Sequence, residues 1–312
     1  MSAFVKIDVA PDTPEWEAER RNSIGASELP AVLGLSPYGV TALDVYKHKL
    51  GIDRPFDPIL SFVGHQSEAI VEAWLREFSG LDLDIQPGFM ARSVEWPFLH
   101  ASFDRVALHP FTPIQIKTAS AYAGHHWDEG VPTDVRVQVQ GELAVSGAPR
   151  ALVAVWIGGR EFRIFWEHRD DRFILEYLVP AAMNLWDAHV RAQVPPEPMT
   201  LADVNSIPTD RDVEVELSDE AFEVLERITV LNSDIEAQQQ ERDALKVALA
   251  QYTGPAGVLN HGGRRVATWR MQKGRTSLDT RALRQVHPDI VNEFTVQGAP
   301  FRVLRRMKSQ GD

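Results

Sequence analysis

Residues 101–120 read ASFDRVALHPFTPIQIKTAS, and the alternation within PIQIK decides the fold. In an extended chain residues two apart share a face. Ile114 and Ile116 therefore turn to a core, while Gln115 and Lys117 emerge together on the other side. Asp104 stands on the preceding strand, across the loop HPFT, so three polar groups converge on one small volume. Metal-assisted cleavage of a phosphodiester needs this grouping: oxygen ligands for magnesium, and a cation beside the attacking water and the phosphate. The residue two before the lysine, where a carboxylate would serve best, is Gln115.

Upstream, Thr13-Pro14 reads as an N-cap followed by proline at the first helical position, opening a helix to about residue 22. GASELPAVLG predicts a second helix capped by Ser27, and a third runs from about Thr41 to Leu50. A fourth, about 62–79, sets Val71, Trp74, Leu75 and Phe78 on one stripe. Glu68 sits at the edge of that stripe, three residues before Val71 and seven before Leu75. A carboxylate there is costly unless paired or bound to metal. Glu72, one turn on, points farther out. Arg20 and Ser27, within WEAERRNSIGAS, offer a cation, a hydroxyl and helix N-terminal amides, the components of a phosphate pocket.

Residues 86–118 read as strands, ALVAVWIG and EFRIFWE as a hairpin, and Thr133–Ser146 between them as a helix. Another helix spans about 170–193. The interleaving indicates an α/β core, with the nuclease-like part at 1–195. VPPEPMT, residues 194–200, is the candidate boundary to an extension at 196–312. That extension carries a long helix, Leu217–Ala250, with Leu225, Ile228, Leu231 and Ile235 at helical spacing, which suits a coiled-coil contact with a partner or another subunit or, the reading we prefer, folding back on its own domain. A ribbon turning at His261-Gly262-Gly263, a short helix and a strand in FRVLRRM complete it. His125-His126 is a candidate for a loop facing DNA, whereas His65, His100 and His109 read as structural or surface residues.

The net charge of −12 argues at first against nucleic acid, but its distribution is uneven. Residues 203–243 hold thirteen acidic and three basic side chains, and 264–308 hold eleven basic and three acidic. An acidic chain can therefore still present a basic surface to phosphates. With no cysteine, thiolate zinc sites and iron–sulfur clusters are excluded. No apolar run reaches the ~20 residues of a membrane span, and the N-terminus lacks a signal-peptide layout. No membrane association is expected, and a cytoplasmic location is.

Taken in order, WEAERRNSIGAS, GHQSEAIVEAWL, ASFD, QIK and VQVQGELAVSG make the chain, over about 14–167, resemble the lambda-exonuclease and YqaJ-type viral recombinase family. That family is a branch of the PD-(D/E)XK nucleases. The resemblance implies a restriction-endonuclease-like core, a central mixed β-sheet flanked by helices. It implies a phage-type, magnesium-dependent 5′-to-3′ exonuclease on double-stranded DNA ends, with manganese as a substitute, working beside a single-strand annealing recombinase. It also implies a homo-oligomer, of which a ring-shaped trimer threaded by DNA is one form. By position, Asp104, Gln115, Glu68 and the backbone carbonyl of Ile116 would hold metal. Lys117 would orient the water and stabilise charge on the phosphate, and Arg20 and Ser27 would hold the 5′ phosphate. Gln140, with Gln138 as second choice, would match the family's glutamine after the lysine.

Gln115 departs from the family, which has glutamate there. An amide is nearly isosteric with a carboxylate and its oxygen can touch a cation, but it carries no charge and accepts no proton from water. Three readings stay open: a natural variant of weakened activity, an engineered Glu-to-Gln change that traps DNA uncleaved, and a relative that binds ends without cutting. A site-specific endonuclease of the same superfamily is a further rival, separated by whether closed circular DNA is cut.

Overall fold

The strand carrying PIQIK lies in the middle of a five-stranded sheet. The computed structural model describes residues 3–53, 58–208, 213–298 and 300–306. It divides into two compact units, Met1–Ser206 and Ile207–Asp312.

In the first unit, β1 (Phe4–Ile7), α1 (Pro14–Arg21), β2 (Ile24–Gly25), α2 (Leu29–Val32), α3 (Ala42–Lys49) and α4 (Pro58–Glu77) precede most of the strands. The strands are β3 (Asp84–Pro87), β4 (Met90–Ser93), β5 (Leu99–Ser102), β6 (Arg105–Leu108) and β7 (Thr112–Ala119). Next come α5 (Thr133–Ser146) and the hairpin β8 (Arg150–Ile157) and β9 (Glu161–His168). A helical segment follows, built from α6 (Asp171–Phe173) and α7 (Val179–Asn184) with π-helical turns at Ile174–Leu178 and Leu185–Arg191. The unit ends with α8 (Leu201–Ser206).

The main sheet has the order β3-β6-β7-β8-β9 and is antiparallel except where β7 pairs β8 in parallel. Parallel neighbours cannot be joined by a tight turn, so the chain crosses over, and α5 is the crossover. The fold is thus the mixed α/β architecture expected from the sequence. A second sheet, β1-β4-β5-β2, was not anticipated as separate: residues 86–118 feed both sheets.

The period of two divides the main sheet between two layers. Ile114, Ile116, Leu152 and Ala154 pack with Val71 and Leu75 of α4. Ala151, Val153, Val155 and Ile157 pack on the opposite face with Val135, Val139 and Leu143 of α5. Each of the valine, leucine and isoleucine side chains, fully buried, contributes about 1.5–3 kcal/mol. Gln115 and Lys117 consequently point to the α5 side, as the alternation predicted. Phe78, placed in the buried stripe of α4 by spacing, is 72% exposed instead, because the helix ends at Glu77.

Thr13 caps α1 as the sequence suggested, and Thr41, read as the first residue of the third helix, is the N-cap of α3. Ser27 is not a cap. It lies inside a 3-10 turn, Ala26–Glu28, whose N-cap is Gly25, and α2 beyond is a single short turn. The proline-rich break at 194–200 falls within the first unit, since Asp203 of α8 accepts from Thr41 Oγ1 at 2.8 Å and from the backbone of Met199 and Thr200.

The second unit holds α9 (Asp219–Thr253), the ribbon β10 (Val258–His261) and β11 (Arg264–Thr268), and two short helices, α10 (Thr280–Val286) and α11 (Pro288–Glu293). The expected folding back of the long helix is not met, as no residue of α9 is buried. Residues 301–306 form no strand; Arg306 of that segment pairs instead with Glu226 of α9. Among the described residues no helix is long and apolar enough to cross a membrane.

Candidate active site

Asp104, Gln115, Ile116, Lys117 and Glu68 line one cavity of about 380 Å³, together with Arg20, Ser27, Gln138 and Glu142. Three of the nine, Asp104, Gln115 and Lys117, were brought together by alternation and the hairpin, while Glu68 and Ile116 were added by the resemblance. Arg20 and Ser27 were assigned to the same site by motif, and the fold puts them on its wall.

Asp104 is fixed from two sides. Its Oδ2 accepts the backbone N–H of Ile116 at 2.7 Å, and the Gln115 amide also donates to it. Behind it the chain passes through Gly88, where a Cβ would lie 2.6 Å from the Asp104 carbonyl oxygen and closer still to that of Phe103. Only glycine leaves room there. Gln115 is 3% exposed, its carbonyl oxygen accepting from Gln138 Nε2 at 2.5 Å. Gln138 in turn accepts from Lys117 Nζ at 2.9 Å, and its nitrogen also donates to Glu142 Oε1 at 3.0 Å. The chain of contacts runs Lys117, Gln138, Gln115, Asp104, with Glu142 branching from Gln138.

Glu68 reaches the cavity from α4 and pairs with Arg105 Nη1 at 3.0 Å. Glu72 is turned away onto Arg105 and Arg76, as its position one turn on suggested. Gln140 does not enter the cavity. Its amide clamps the turn after β9, donating to the His168 carbonyl at 2.7 Å and accepting from the Asp170 N–H at 2.9 Å. The order of choice between the two glutamines is therefore reversed: positions two apart on a helix face opposite ways, and it is Gln138 that faces Lys117.

Two carboxyls here are shifted. Burial pushes Asp104 up to about 6, against the opposing pull of Lys117 and the Ile116 N–H. Burial, with the neighbouring Asp104 charge, pushes Glu142 up to about 8. Both effects mark a site with more negative charge than its protein cations balance. Glu142 was missed in the sequence. The available signal was a carboxylate inside VQVQGELAV, a helix otherwise apolar or amide-bearing, one turn after Gln138.

On the far wall, the Arg20 guanidinium stacks on Trp16, 4.6 Å from the ring centroid. A buried network supports this wall. Lys49 Nζ lies 2.5 and 2.7 Å from the two Glu28 oxygens and also donates to the Arg20 carbonyl at 2.7 Å. Glu28 accepts the Gly25 N–H at 2.7 Å and contacts His48 Nδ1 at 3.0 Å. Burial alone would raise Glu28, but the Lys49 charge and the His48 bond outweigh it and hold the carboxyl well below its ordinary range. His100, another cavity residue, bonds Ser23 Oγ at 2.9 Å, and burial pushes it down to about 3, so it is neutral.

Among the described residues, the trio of potential ligands gathered within 4.8 Å is Glu17, His48 and Asp53, in the neighbouring cleft. Its members are already satisfied, Glu17 by His48 at 2.5 Å and Asp53 by Arg21 at 2.8 Å. In the cavity itself, amide groups stand between the carboxylates.

A strand lysine, an aspartate across the hairpin, further carboxylates and an arginine-lined wall thus share one cavity. Residues 15–149 match the profile of the YqaJ-like viral recombinase domain. The chain is 31% identical over 184 residues to the uncharacterized protein YqaJ of Bacillus subtilis (strain 168); the match takes in 56% of each, so the chain spans about half of that relative's length. Among solved structures it is similar to an alkaline exonuclease from Laribacter hongkongensis, at 17% identity and a TM-score of 0.49, covering 58% of this chain and 94% of that one. It is also similar to a phage-related exonuclease from Haemophilus somnus 129PT, at 14% identity and a TM-score of 0.40, covering 55% and 96%.

Proposed function

We propose that this chain is a divalent-metal-dependent deoxyribonuclease that acts on the ends of duplex DNA, as a 5′-to-3′ exonuclease serving recombination. The reading rests on one observation above all: Lys117, three carboxylates and the Arg20–Ser27 wall share a single cavity. Its partners would be double-stranded DNA ends and a single-strand annealing protein, its working form a homo-oligomer and its place the cytoplasm.

The donors suit magnesium or manganese. Asp104 and Glu68 provide carboxylate oxygens, Gln115 an amide oxygen and Ile116 a backbone carbonyl, all hard ligands. Two of the cavity carboxyls are raised by burial, which is the condition a bound cation would relieve. When bound, the metal would polarise the scissile phosphate and make the attacking water more acidic. Lys117, held by Gln138, sets a positive charge beside the phosphate and stabilises the negative charge that builds as water attacks phosphorus and the bond to the leaving oxygen breaks. Arg20, stiffened by Trp16, would grip the 5′ phosphate, and Ser27 would hydrogen-bond it.

The test is digestion of 5′-phosphorylated linear duplex with magnesium, alongside a closed circle of the same sequence. Loss of the linear DNA with the circle intact, abolished by Lys117→Ala, is the expected result. Cutting of the circle would replace it with an endonuclease. A second reading, end binding without cleavage, is favoured by the Gln115 amide that donates to Asp104 where the family has a carboxylate. End binding with neither metal supporting digestion would establish that one.

A further inference from the structure

Glu142 is 1% exposed and lines the cavity, yet the mechanism above makes no use of it. Its neighbours on α5 are Val139, Gly141, Leu143 and Val145, all buried, so nothing local calls for a charge. The other deeply buried carboxylate of this region, Glu28, shows what full compensation looks like: a lysine on both oxygens, an imidazole and a backbone N–H. Glu142 has one amide contact, from Gln138 at 3.0 Å, and Lys117 acts on it only at a distance. A buried carboxylate without a close counter-charge is expensive to keep, and a cation is the usual remedy.

Its position relative to residue 115 is the second observation. The Gln138 nitrogen donates to Gln115 Oε1 at 2.5 Å and to Glu142 Oε1 at 3.0 Å, so the two oxygens flank a single atom. One comes from the strand β7 and the other from the crossover helix, and both face the same small volume beside Asp104. On another side the same helix packs through Gly141 against Leu29 and Ala26, where a Cβ would run into them. A third carboxylate at 115 would crowd Asp104 and Glu142 around a single lysine; an amide there keeps the anionic count down.

We infer that Glu142, reaching in from the crossover helix, supplies the acidic metal ligand that Gln115 on the strand does not. The carboxylate has changed element while keeping its place in the cavity. This inference rests on the nuclease reading, and it makes the chain an active enzyme in spite of its amide.

The experiment is direct binding of Mn2+ alone to the full chain, followed by electron paramagnetic resonance, in the unaltered sequence and in Glu142→Gln, Gln115→Glu, the double Gln115→Glu/Glu142→Gln variant and Asp104→Asn. Glu142→Gln is isosteric and removes a buried charge, so its fold should survive; melting curves check this. It should weaken Mn2+ binding beyond the roughly 10–100-fold that loss of a supporting partner costs, and the double variant should recover most of it. Unchanged binding in Glu142→Gln, with binding lost in Asp104→Asn, overturns the inference and leaves the nuclease reading standing. Binding by Gln115→Glu but not by the unaltered sequence also overturns it, and marks a disabled nuclease. If no version binds Mn2+, the nuclease reading fails and takes the inference with it.

Discussion

Lys117 is held by Gln138, whose side-chain oxygen accepts from Nζ at 2.9 Å. The same amide's nitrogen holds the oxygens of Gln115 and Glu142, so one side chain sets the position of three others. Aspartate and glutamate lack the donor, lysine lacks the acceptor, and asparagine, with the same amide, is one methylene shorter. Gln138→Leu should therefore lower turnover by about 10–100-fold with a smaller effect on KM. Gln140→Leu, which breaks only the clamp on residues 168–170, should leave turnover near normal and cost about 1–3 kcal/mol of stability. Rates of duplex digestion and urea melts of the two variants separate these effects; equal turnover losses would show that the glutamine roles are misassigned.

The two raised carboxyls give the metal-free protein a definite pH response. Asp104 and Glu142 bind their protons more tightly folded than unfolded, with folded values of about 6 and about 8. Their favourable contribution is complete below the ordinary carboxylate range and is lost as pH rises through those values. In chelator, the unaltered sequence should lose more stability between pH 5 and 8.5 than Glu142→Gln does. Parallel curves for the two proteins would refute the buried-charge account of Glu142.

Lys49 is fully buried against Glu28, and its ammonium also holds the Arg20 carbonyl. Lys49→Met would leave Glu28 without its main counter-charge, at a cost of about 3–5 kcal/mol. Pairing it with Glu28→Gln should recover part of that loss. Denaturant melts of the single and double variants measure the coupling, and a single variant as stable as the unaltered chain would contradict it.

Gly88→Ala would press a methyl group onto the carbonyls of Phe103 and Asp104. The strand must shift, at about 1–3 kcal/mol, and Asp104 shifts with it. Mn2+ affinity should fall while the fold persists in circular dichroism; full affinity would mean that Asp104 is not positioned from behind.

The excess of basic residues in 264–308 suits non-specific phosphate contact. Removing the residues after Gln251 should weaken duplex binding and flatten its dependence on salt more than it lowers the melting temperature of the first unit. Binding titrations at two or more salt concentrations decide this, an unchanged slope counting against a DNA role for the segment.

The motifs were legible where physics is local. Alternation in PIQIK fixed which side chains share a face, Thr13 and Thr41 announced their helices, and the stripe ending in Leu75 placed Glu68 at its edge. Where an outcome depended on a distant partner, reading failed. Ser27 looked like a cap, but the turn it enters is set by the Glu28 carboxylate reaching back to the Gly25 N–H and by Lys49 behind it. The run 86–118 read as one set of strands because nothing in its pattern tells which neighbour each strand will find.

The sequence by itself determined the α/β order of elements, the face on which Asp104, Gln115 and Lys117 meet, and the likeness of residues 15–149 to a YqaJ-like viral recombinase domain. These follow from periods of two and 3.6 and from motif spacing, which need no knowledge of the rest of the chain. Only the tertiary structure decided that Gln138 rather than Gln140 serves the lysine and that Glu142 enters the site. The helix α5 is buried nearly all round, so its own pattern does not fix its rotation. Packing fixes it: Val135, Val139 and Leu143 settle on the sheet, Gly141 on Ala26 and Leu29, and Gln138 and Glu142 are left facing the cavity.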